Sequence, residues 1–134
     1  MSGDVDFDLS GQWSGLYNYP IPAPPTSFEA VIRDTGGLIT GETSEAGDTP
    51  DCAGQLLHAL IEGRREGARV HFVKVYDHLG RAANPITYDG QVLSGGDEIE
   101  GRWTIPGIWS GTFMMVRARK EETAAQRKVS EEIR

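Results

Sequence analysis

The sequence predicts an all-β protein, a single eight-stranded antiparallel up-and-down barrel, on three observations. Glycine accounts for 17 of the 134 residues, well above its usual share of about 7%, and many of the glycines are spaced as hairpin turns are. The segments between them are short and rich in aromatic and β-branched residues. They alternate with a period of two, which is typical of antiparallel strands. No helical periodicity of useful length precedes residue 118.

The alternation is clearest in the seventh predicted strand. One face carries Ile99, Trp103 and Ile105, while Glu98 and Arg102 point the other way, as expected for a sheet with one dry and one wet face. The predicted strands, in order, are Gln12–Tyr19, Ser27–Asp34, Leu38–Thr43, Gln55–Arg64, Ala68–Asp77, Ile86–Leu93, Glu98–Ile105 and Ile108–Arg119.

The segments between the strands carry turn chemistry. Asp34–Gly37, Arg65–Gly67, Ser94–Asp97 and Pro106-Gly107 contain residues that tolerate the backbone of a tight reversal. Asp89-Gly90 is a further candidate turn that would split the sixth strand, although a bend within one strand is the preferred interpretation. Because the connections are too short for parallel crossovers, the strands are expected to run up and down, and closure into a barrel removes both sheet edges.

Several segments lie outside the strand pattern. The predicted organisation is an N-terminal extension over 1–9, a barrel over 10–119 and a charged tail over 120–134 that is helical or disordered. The proline-rich run Pro20–Pro25 predicts a stiff extended loop, either a rigid connection or a lid or docking strip. The polar stretch Glu45–Ala53 is expected to be a loop.

The charge balance excludes some classes of partner. Thirteen Lys and Arg against twenty Asp and Glu give a net charge of −7, so we expect no nucleic acid and no anionic membrane as partner. No stretch is long and apolar enough for a transmembrane helix, and the acidic first ten residues are unlike a signal peptide. We therefore expect a cytoplasmic protein. The single cysteine, Cys52, cannot form an internal disulfide, and its neighbours Asp48 and Asp51 argue against a catalytic thiolate.

The first and last predicted strands carry a recognisable pair of motifs. Gly11-x-Trp13 on the first strand and an arginine on the last resemble the signature of the calycin superfamily, which includes lipocalins, fatty-acid-binding proteins, avidins and nitrobindin-like domains. The resemblance covers about residues 10–119. It implies that the tryptophan plugs one end of the barrel and that the arginine packs over its ring. Arg117 is the expected partner because of its face on strand eight, with Arg119 second.

Two branches of that superfamily have ligand sites that can be compared with this chain. Ser14 and Asn18 stand at the wrong offsets from the first-strand tryptophan for the polar cage of an avidin-like biotin site. A nitrobindin-like haem needs an identifiable histidine, and His58, His71 and His78 fall in no such pattern. Their spacing is also unlike known metal motifs. We therefore expect no cofactor and no metal.

The predicted inward faces collect most of the aromatic side chains. A small barrel lined in this way holds either a packed core or an apolar cavity with a few hydroxyl donors. The fifth strand can bury Val70, Phe72 and Tyr76, which would bury Lys74 as well, or the alternate set that contains His71. The predicted ligand-binding residues are Tyr17, Phe28, His71, Tyr76, Tyr88, Trp103, Trp109 and Phe113.

The function that these features favour is non-enzymatic binding of a small apolar or aromatic molecule inside the barrel. One alternative is an enzyme of isomerase or cyclase type, for which His71 would be the first candidate group, although no catalytic residue can be named. The other alternative is a structural or interaction barrel with a packed interior. An apolar outer face on the last strand, with Ile108, Met114 and Val116, favours a homo-oligomer.

Overall fold

The computed structural model describes residues 7–46, 56–77 and 85–118, and these form a closed barrel of eight antiparallel strands in chain order. Each strand pairs with its neighbours in sequence, and the last strand pairs with the first. This confirms the predicted fold class. The strands are β1 (Gly11–Tyr17), β2 (Thr26–Thr35), β3 (Leu38–Ala46), β4 (Leu56–Glu66), β5 (Arg69–Tyr76), β6 (Ile86–Leu93), β7 (Glu98–Ile105) and β8 (Trp109–Arg117).

The strand boundaries follow the prediction closely, with one difference that matters. β6 and β7 have the predicted bounds, and Gly90 lies within β6 rather than in a turn. β3 continues to Ala46, so Glu45 belongs to a strand and is buried, whereas the sequence placed it in a loop. Ile108 lies in the turn before β8, where its N–H donates to the carbonyl of Ile105.

The reversals at four predicted turns are made by glycines with positive φ, the backbone conformation that glycine adopts without steric cost. These turn glycines are Gly36, Gly37, Gly67, Gly95, Gly96 and Gly107.

Several expectations fall on other parts of the chain and lie outside the described residues. These are the charged tail at 120–134, most of the extension at 1–9, Cys52 with its acidic neighbours, His78 and Arg119.

Two aromatic rings of the core lie against glycines on the neighbouring strand. Phe28 is paired in register with Gly15, and a Cβ at Gly15 would lie 2.3 Å from the ring. Trp103 is paired with Gly111, where a Cβ would lie 2.8 Å from the indole. Each glycine therefore leaves the space that the ring occupies, and glycines inside strands are a known way of bending a sheet.

One end of the barrel, which we call the Trp13 end (Leu9, Trp13 and Arg117), is closed by packing. The Trp13 side chain is fully buried, and its indole N–H donates to the carbonyl of Leu9 at 2.9 Å. The guanidinium carbon of Arg117 lies 4.6 Å from the centre of the indole. Arg117 also donates to the carbonyls of Asp8 and Ser10, both at 2.7 Å. The residues before β1 are thereby held across this end.

A buried ion pair lies at the same end of the barrel. The Nε of Arg65 is 2.8 Å from a carboxylate oxygen of Asp34, and the two side chains are 6% and 1% exposed. Asp34 also accepts from the backbone N–H groups of Leu9 and Gly37. Burial alone would raise the pKa of Asp34, but these hydrogen bonds outweigh it and hold the pKa below its usual value. The pair therefore joins β2 and β4 to the segment that covers Trp13.

The packing at the Trp13 end gives a stability prediction. Trp13→Ala removes a fully buried indole and should lower the free energy of unfolding by about 3–5 kcal/mol, measured by urea denaturation. His58→Ala is the matched control, because His58 is exposed on the outer face of β4 and should change stability by less than about 0.5 kcal/mol. Wild-type stability in the Trp13 variant would show that this end does not anchor the barrel.

Candidate functional site

The opposite end of the barrel contains a buried pair of opposite charges. β5 turns Val70, Phe72 and Lys74 inward, and β3 turns Glu45 inward. The Nζ of Lys74 lies 3.0 Å from Oε1 of Glu45, and their side chains are 1% and 4% exposed. Of the two faces of β5, the one that carries Lys74 is therefore the buried face. The nearby carboxylate of Glu45 compensates for the buried positive charge.

Two tyrosines complete the hydrogen bonding of the carboxylate. The hydroxyl of Tyr17 donates to Oε2 of Glu45 at 2.5 Å, and that of Tyr76 donates to Oε1 at 2.7 Å. Both oxygens of Glu45 thus accept from a neutral donor, and one also accepts from the ammonium. We call these four residues, Tyr17, Glu45, Lys74 and Tyr76, the Glu45–Lys74 cluster.

Aromatic rings surround the ammonium group of Lys74. Its Nζ lies 4.8 Å from the ring centre of Tyr76, 5.1 Å from those of Tyr17 and Phe28, and 5.8 Å from that of Tyr88. These distances are in the range of cation–π attraction. The rings therefore replace part of the hydration that burial removes from the charged amine.

Burial shifts the proton equilibria of this cluster. It lowers the pKa of Lys74, and the charge of Glu45 offsets part of that effect. Burial is also the main cause that raises the pKa of Tyr17, Tyr76 and Tyr88 above the ordinary value of 10.0, with the Glu45 carboxylate adding to the rise. The three hydroxyls therefore stay protonated even at mildly alkaline pH, and those of Tyr17 and Tyr76 donate to Glu45.

Thr43 adds a polar group that lacks a partner. It precedes Glu45 by two residues on the inward face of β3, and it is 3% exposed. Its hydroxyl makes no hydrogen bond among the described residues. The residues in register with it on either side, Ala30 and Ala59, are small and buried. An unpaired buried hydroxyl costs about 1–3 kcal/mol, so Thr43 carries an unused capacity to donate and accept.

Further aromatic side chains form the rim of this end. Tyr19 and Trp103 each pack edge-on against the ring of Tyr17, with centres 5.6 and 6.2 Å away. Trp109 lies 5.5 Å from Tyr19 and is 36% exposed. We call Tyr17, Tyr19, Trp103 and Trp109 the aromatic end. Exposure at this end rises from 3% at Trp103 to 36% at Trp109.

The structure brings most of the predicted binding residues together. Tyr17, Phe28, Tyr76 and Tyr88 surround Lys74, and Trp103 and Trp109 belong to the aromatic end. Phe113 lies deeper, where its ring packs against Tyr88 with centres 4.9 Å apart.

The inward placement of His71 is wrong. The histidine lies on the outer face of β5 with its side chain 56% exposed, and its Nδ1 is 2.5 Å from the carboxylate of Asp89. Its neighbours Val70 and Phe72 are buried, and the alternation of a strand then directs His71 outward. Asp89 is its register partner on β6, so the two form a cross-strand pair on the outer surface.

Sequence reasoning missed the polar part of the site. The sequence pattern places Glu45 in a loop, brings in Lys74 only as a residue that one face of the fifth strand would bury, and does not single out Thr43. The available signal was the period of β3, in which Ile39, Thr43 and Glu45 share one face. A charged residue at the end of that series was interpreted as the end of the strand.

Other features of the surface carry less chemistry. A concavity of about 720 Å³ lies on the outer face of β4–β7, with Arg64, Arg69 and Glu100 among its lining residues. A second, of about 510 Å³, lies outside β2–β5. Within the described ranges, no three His, Cys, Asp or Glu side chains come together as a metal site would require. No helix in the same ranges is long and apolar enough to cross a membrane.

The buried charge pair gives a prediction for a double-mutant cycle. Glu45→Met and Lys74→Met each leave one charge buried without its partner, so each should lower the free energy of unfolding by about 3–5 kcal/mol. The double variant leaves neither charge and should lose less than the sum of the singles by at least about 2 kcal/mol. Urea denaturation of the four proteins measures the difference. Additive losses would show that the two side chains do not interact.

The shielded tyrosines predict a loss of stability at alkaline pH. The pKa values of Tyr17, Tyr76 and Tyr88 are raised in the folded protein above the ordinary 10.0. Their contribution to the free energy of unfolding is therefore complete below about pH 10. It is lost as the pH rises further, because these tyrosines ionise at lower pH in the unfolded chain than in the folded protein. Each of the three tyrosines should lower the free energy of unfolding by about 1.4 kcal/mol per pH unit above that pH. The lowered pKa of Lys74 acts in the opposite direction, raising stability as the pH approaches 10.5.

Absorbance of tyrosinate near pH 10.5, before the protein unfolds, measures this directly. The folded protein should show much less tyrosinate than the same protein in guanidinium chloride. Equal absorbance in the two samples would contradict the burial of these hydroxyls.

Comparison with known proteins supports the fold. No protein-family model matches the chain, and no curated protein matches it. Among solved structures it is similar to a redesigned β-barrel, with a TM-score of 0.63 and 10% sequence identity over 84% of this chain and 92% of that one. At this identity the likeness shows the architecture alone. The chain is therefore a small closed antiparallel β-barrel.

Proposed function

We propose that the protein binds a small molecule with an apolar or aromatic body, without enzymatic conversion, at the aromatic end of the barrel. In this proposal the body of the ligand packs on the rings, and a polar group of the ligand bonds to Thr43. The observation that carries the proposal is the Glu45–Lys74 pair, buried within a cage of four aromatic rings beside a hydroxyl that has no partner among the described residues.

A packed structural core does not require this arrangement. Burying an ion pair costs several kcal/mol of desolvation, and apolar residues of the same volume are often equally stable or better. An unpaired buried hydroxyl adds a further cost at Thr43. Such costs concentrate at functional sites, where they create specific recognition. A second buried ion pair, Asp34–Arg65, lies at the packed Trp13 end. What favours a site at the aromatic end is that the Glu45–Lys74 pair lies among ring faces and close to a hydroxyl without a partner among the described residues.

The two ends of the barrel support a direction of entry. The Trp13 end is occupied by the indole of Trp13, the guanidinium of Arg117 and the backbone that crosses them. At the aromatic end, Tyr17, Tyr19 and Trp109 are partly exposed. A ligand that enters past these rings reaches the Glu45–Lys74 cluster first.

The stacking at the Trp13 end also supports a place among the calycin barrels. Trp13 and Arg117 are partners in the β1–β8 register, and their side chains are stacked as that resemblance implies. We include this grouping in the proposal. It favours binding in the interior, because the fold group is one whose members hold ligands inside the barrel.

The first test is native mass spectrometry of the protein purified without added ligand, compared with its denatured mass. A small-molecule adduct that is lost on denaturation would support the proposal and give the mass of the ligand. The same spectrum reports the number of subunits. It therefore also tests the homo-oligomer predicted from the exposed side chains of Ile108, Met114 and Val116 on the outer surface.

A probe makes the test independent of any co-purified ligand. Cinnamyl alcohol combines a planar aromatic body with one hydroxyl, and the fluorescence of Trp103 and Trp109 should respond to it saturably. Thr43→Val keeps the side-chain shape and removes the hydroxyl, so binding should weaken about three- to tenfold. Stability should not fall, since Thr43 makes no hydrogen bond among the described residues.

The control for this titration is His71→Ala, which alters the outer face and should leave affinity unchanged. A wild-type protein whose fluorescence does not respond, with no adduct in the native spectrum, would contradict the proposal. Equal loss of affinity in both variants would show that the probe binds elsewhere.

A further inference from the structure

We propose that Lys74 captures its ligand covalently, as an imine formed with the carbonyl group of an aromatic or conjugated aldehyde. The inference rests on the proposed binding function and names the class of ligand. It depends on the position of the amine, which lies inside the barrel beside a carboxylate and among ring faces that suit a planar conjugated body.

The amine of Lys74 would give up few hydrogen bonds on reacting. Among the described residues its hydrogen bonding consists of one contact, to Oε1 of Glu45 at 3.0 Å, although an ammonium can donate three. Its other sides face the rings of Tyr17, Phe28, Tyr76 and Tyr88. Burial lowers the pKa of this amine, so the neutral form, which is the nucleophile, is more populated than in an exposed lysine.

The condensation balances without any redox partner. The ammonium of Lys74 first gives one proton to the Glu45 carboxylate, and the nitrogen lone pair then attacks the carbonyl carbon. The carbonyl π electrons move to oxygen, which takes up a proton to give a carbinolamine. The nitrogen then gives its second proton to the Glu45 carboxylate, which passes it to the carbinolamine hydroxyl. That hydroxyl leaves as water, and the lone pair freed on the nitrogen forms the C=N bond. In sum, R–CHO and the ammonium give R–CH=NH⁺–Lys74 and water.

The groups around Lys74 suit each step. Tyr17 and Tyr76 are neutral donors held next to the carboxylate, so the carboxylate can pass protons between the nitrogen and the departing oxygen. The product is again a cation beside Glu45, and no new charge is buried. A delocalised iminium also fits the aromatic cage, because the ring faces attract cations. The site therefore favours the charged imine over hydrolysis in water.

The test is reductive trapping on the full-length protein with cinnamaldehyde and sodium cyanoborohydride. The sequence contains three lysines, Lys74, Lys120 and Lys128, and peptide mapping distinguishes them. Lys74 should be labelled at least about tenfold faster than the other two, because binding presents the aldehyde to it. Before reduction, the protonated imine should appear as absorbance at longer wavelength than free cinnamaldehyde.

Two controls separate the site from general amine reactivity. In urea-unfolded protein the preference for Lys74 should disappear. In the folded protein, excess cinnamyl alcohol, which cannot form an imine, should slow the labelling of Lys74 and leave that of Lys120 and Lys128 unchanged. Neither control depends on a variant that might fail to fold.

The outcomes distinguish this inference from the binding proposal on which it rests. Binding of cinnamyl alcohol without preferential labelling of Lys74 would overturn covalent capture and leave non-covalent binding standing. Failure of both the alcohol and the aldehyde would overturn both proposals. Labelling of Lys74 that the alcohol does not slow would also overturn the inference, since the aromatic body of the ligand would then contribute nothing.

Discussion

The pairing of β8 with β1 is the interaction on which the rest of the structure depends. It closes the sheet, and closure leaves each strand with one face inside and one outside. In that register Trp13 lies opposite Arg117, so the same pairing that closes the sheet also assembles the packing at one end. The buried lysine follows from this constraint as well. Once Val70 and Phe72 are inside a closed barrel, Lys74 has no other direction available.

Much of the fold could be predicted because it depends on local rules. Turn glycines determine where strands begin and end, and the alternation of side chains determines which face of a strand is buried. The bounds of β6 and β7 could be predicted to the residue in this way. The site could not be predicted to the same degree. Glu45 and Lys74 are 29 residues apart in the chain, and either one alone looks like a surface residue. Each charge can be buried only because the other lies beside it. That contact depends on how the strands pair in the closed barrel, which the sequence pattern does not specify.

The described part of the barrel contains two buried ion pairs that differ in their surroundings. Asp34 and Arg65 are held by backbone donors and acceptors of the adjacent turns, which is the arrangement of a structural clamp. The described contacts of Glu45 and Lys74 are instead to side chains, namely tyrosine hydroxyls and ring faces. Side chains rearrange more readily than backbone. Under the proposed function, the second pair is therefore the one that would exchange a partner for a ligand without disturbing the sheet.

The closure of the barrel also has a consequence for synthesis of the chain on the ribosome. Arg117 bonds to backbone atoms of Asp8 and Ser10, more than 100 residues earlier, so β1 keeps an unpaired edge until β8 has emerged. Topologies dominated by such distant contacts fold slowly, and exposed strand edges invite pairing with other chains. The nascent protein thus passes through a stage in which its aromatic inner face and two free edges are open. Cells that make it rapidly are expected to rely on chaperones during that interval.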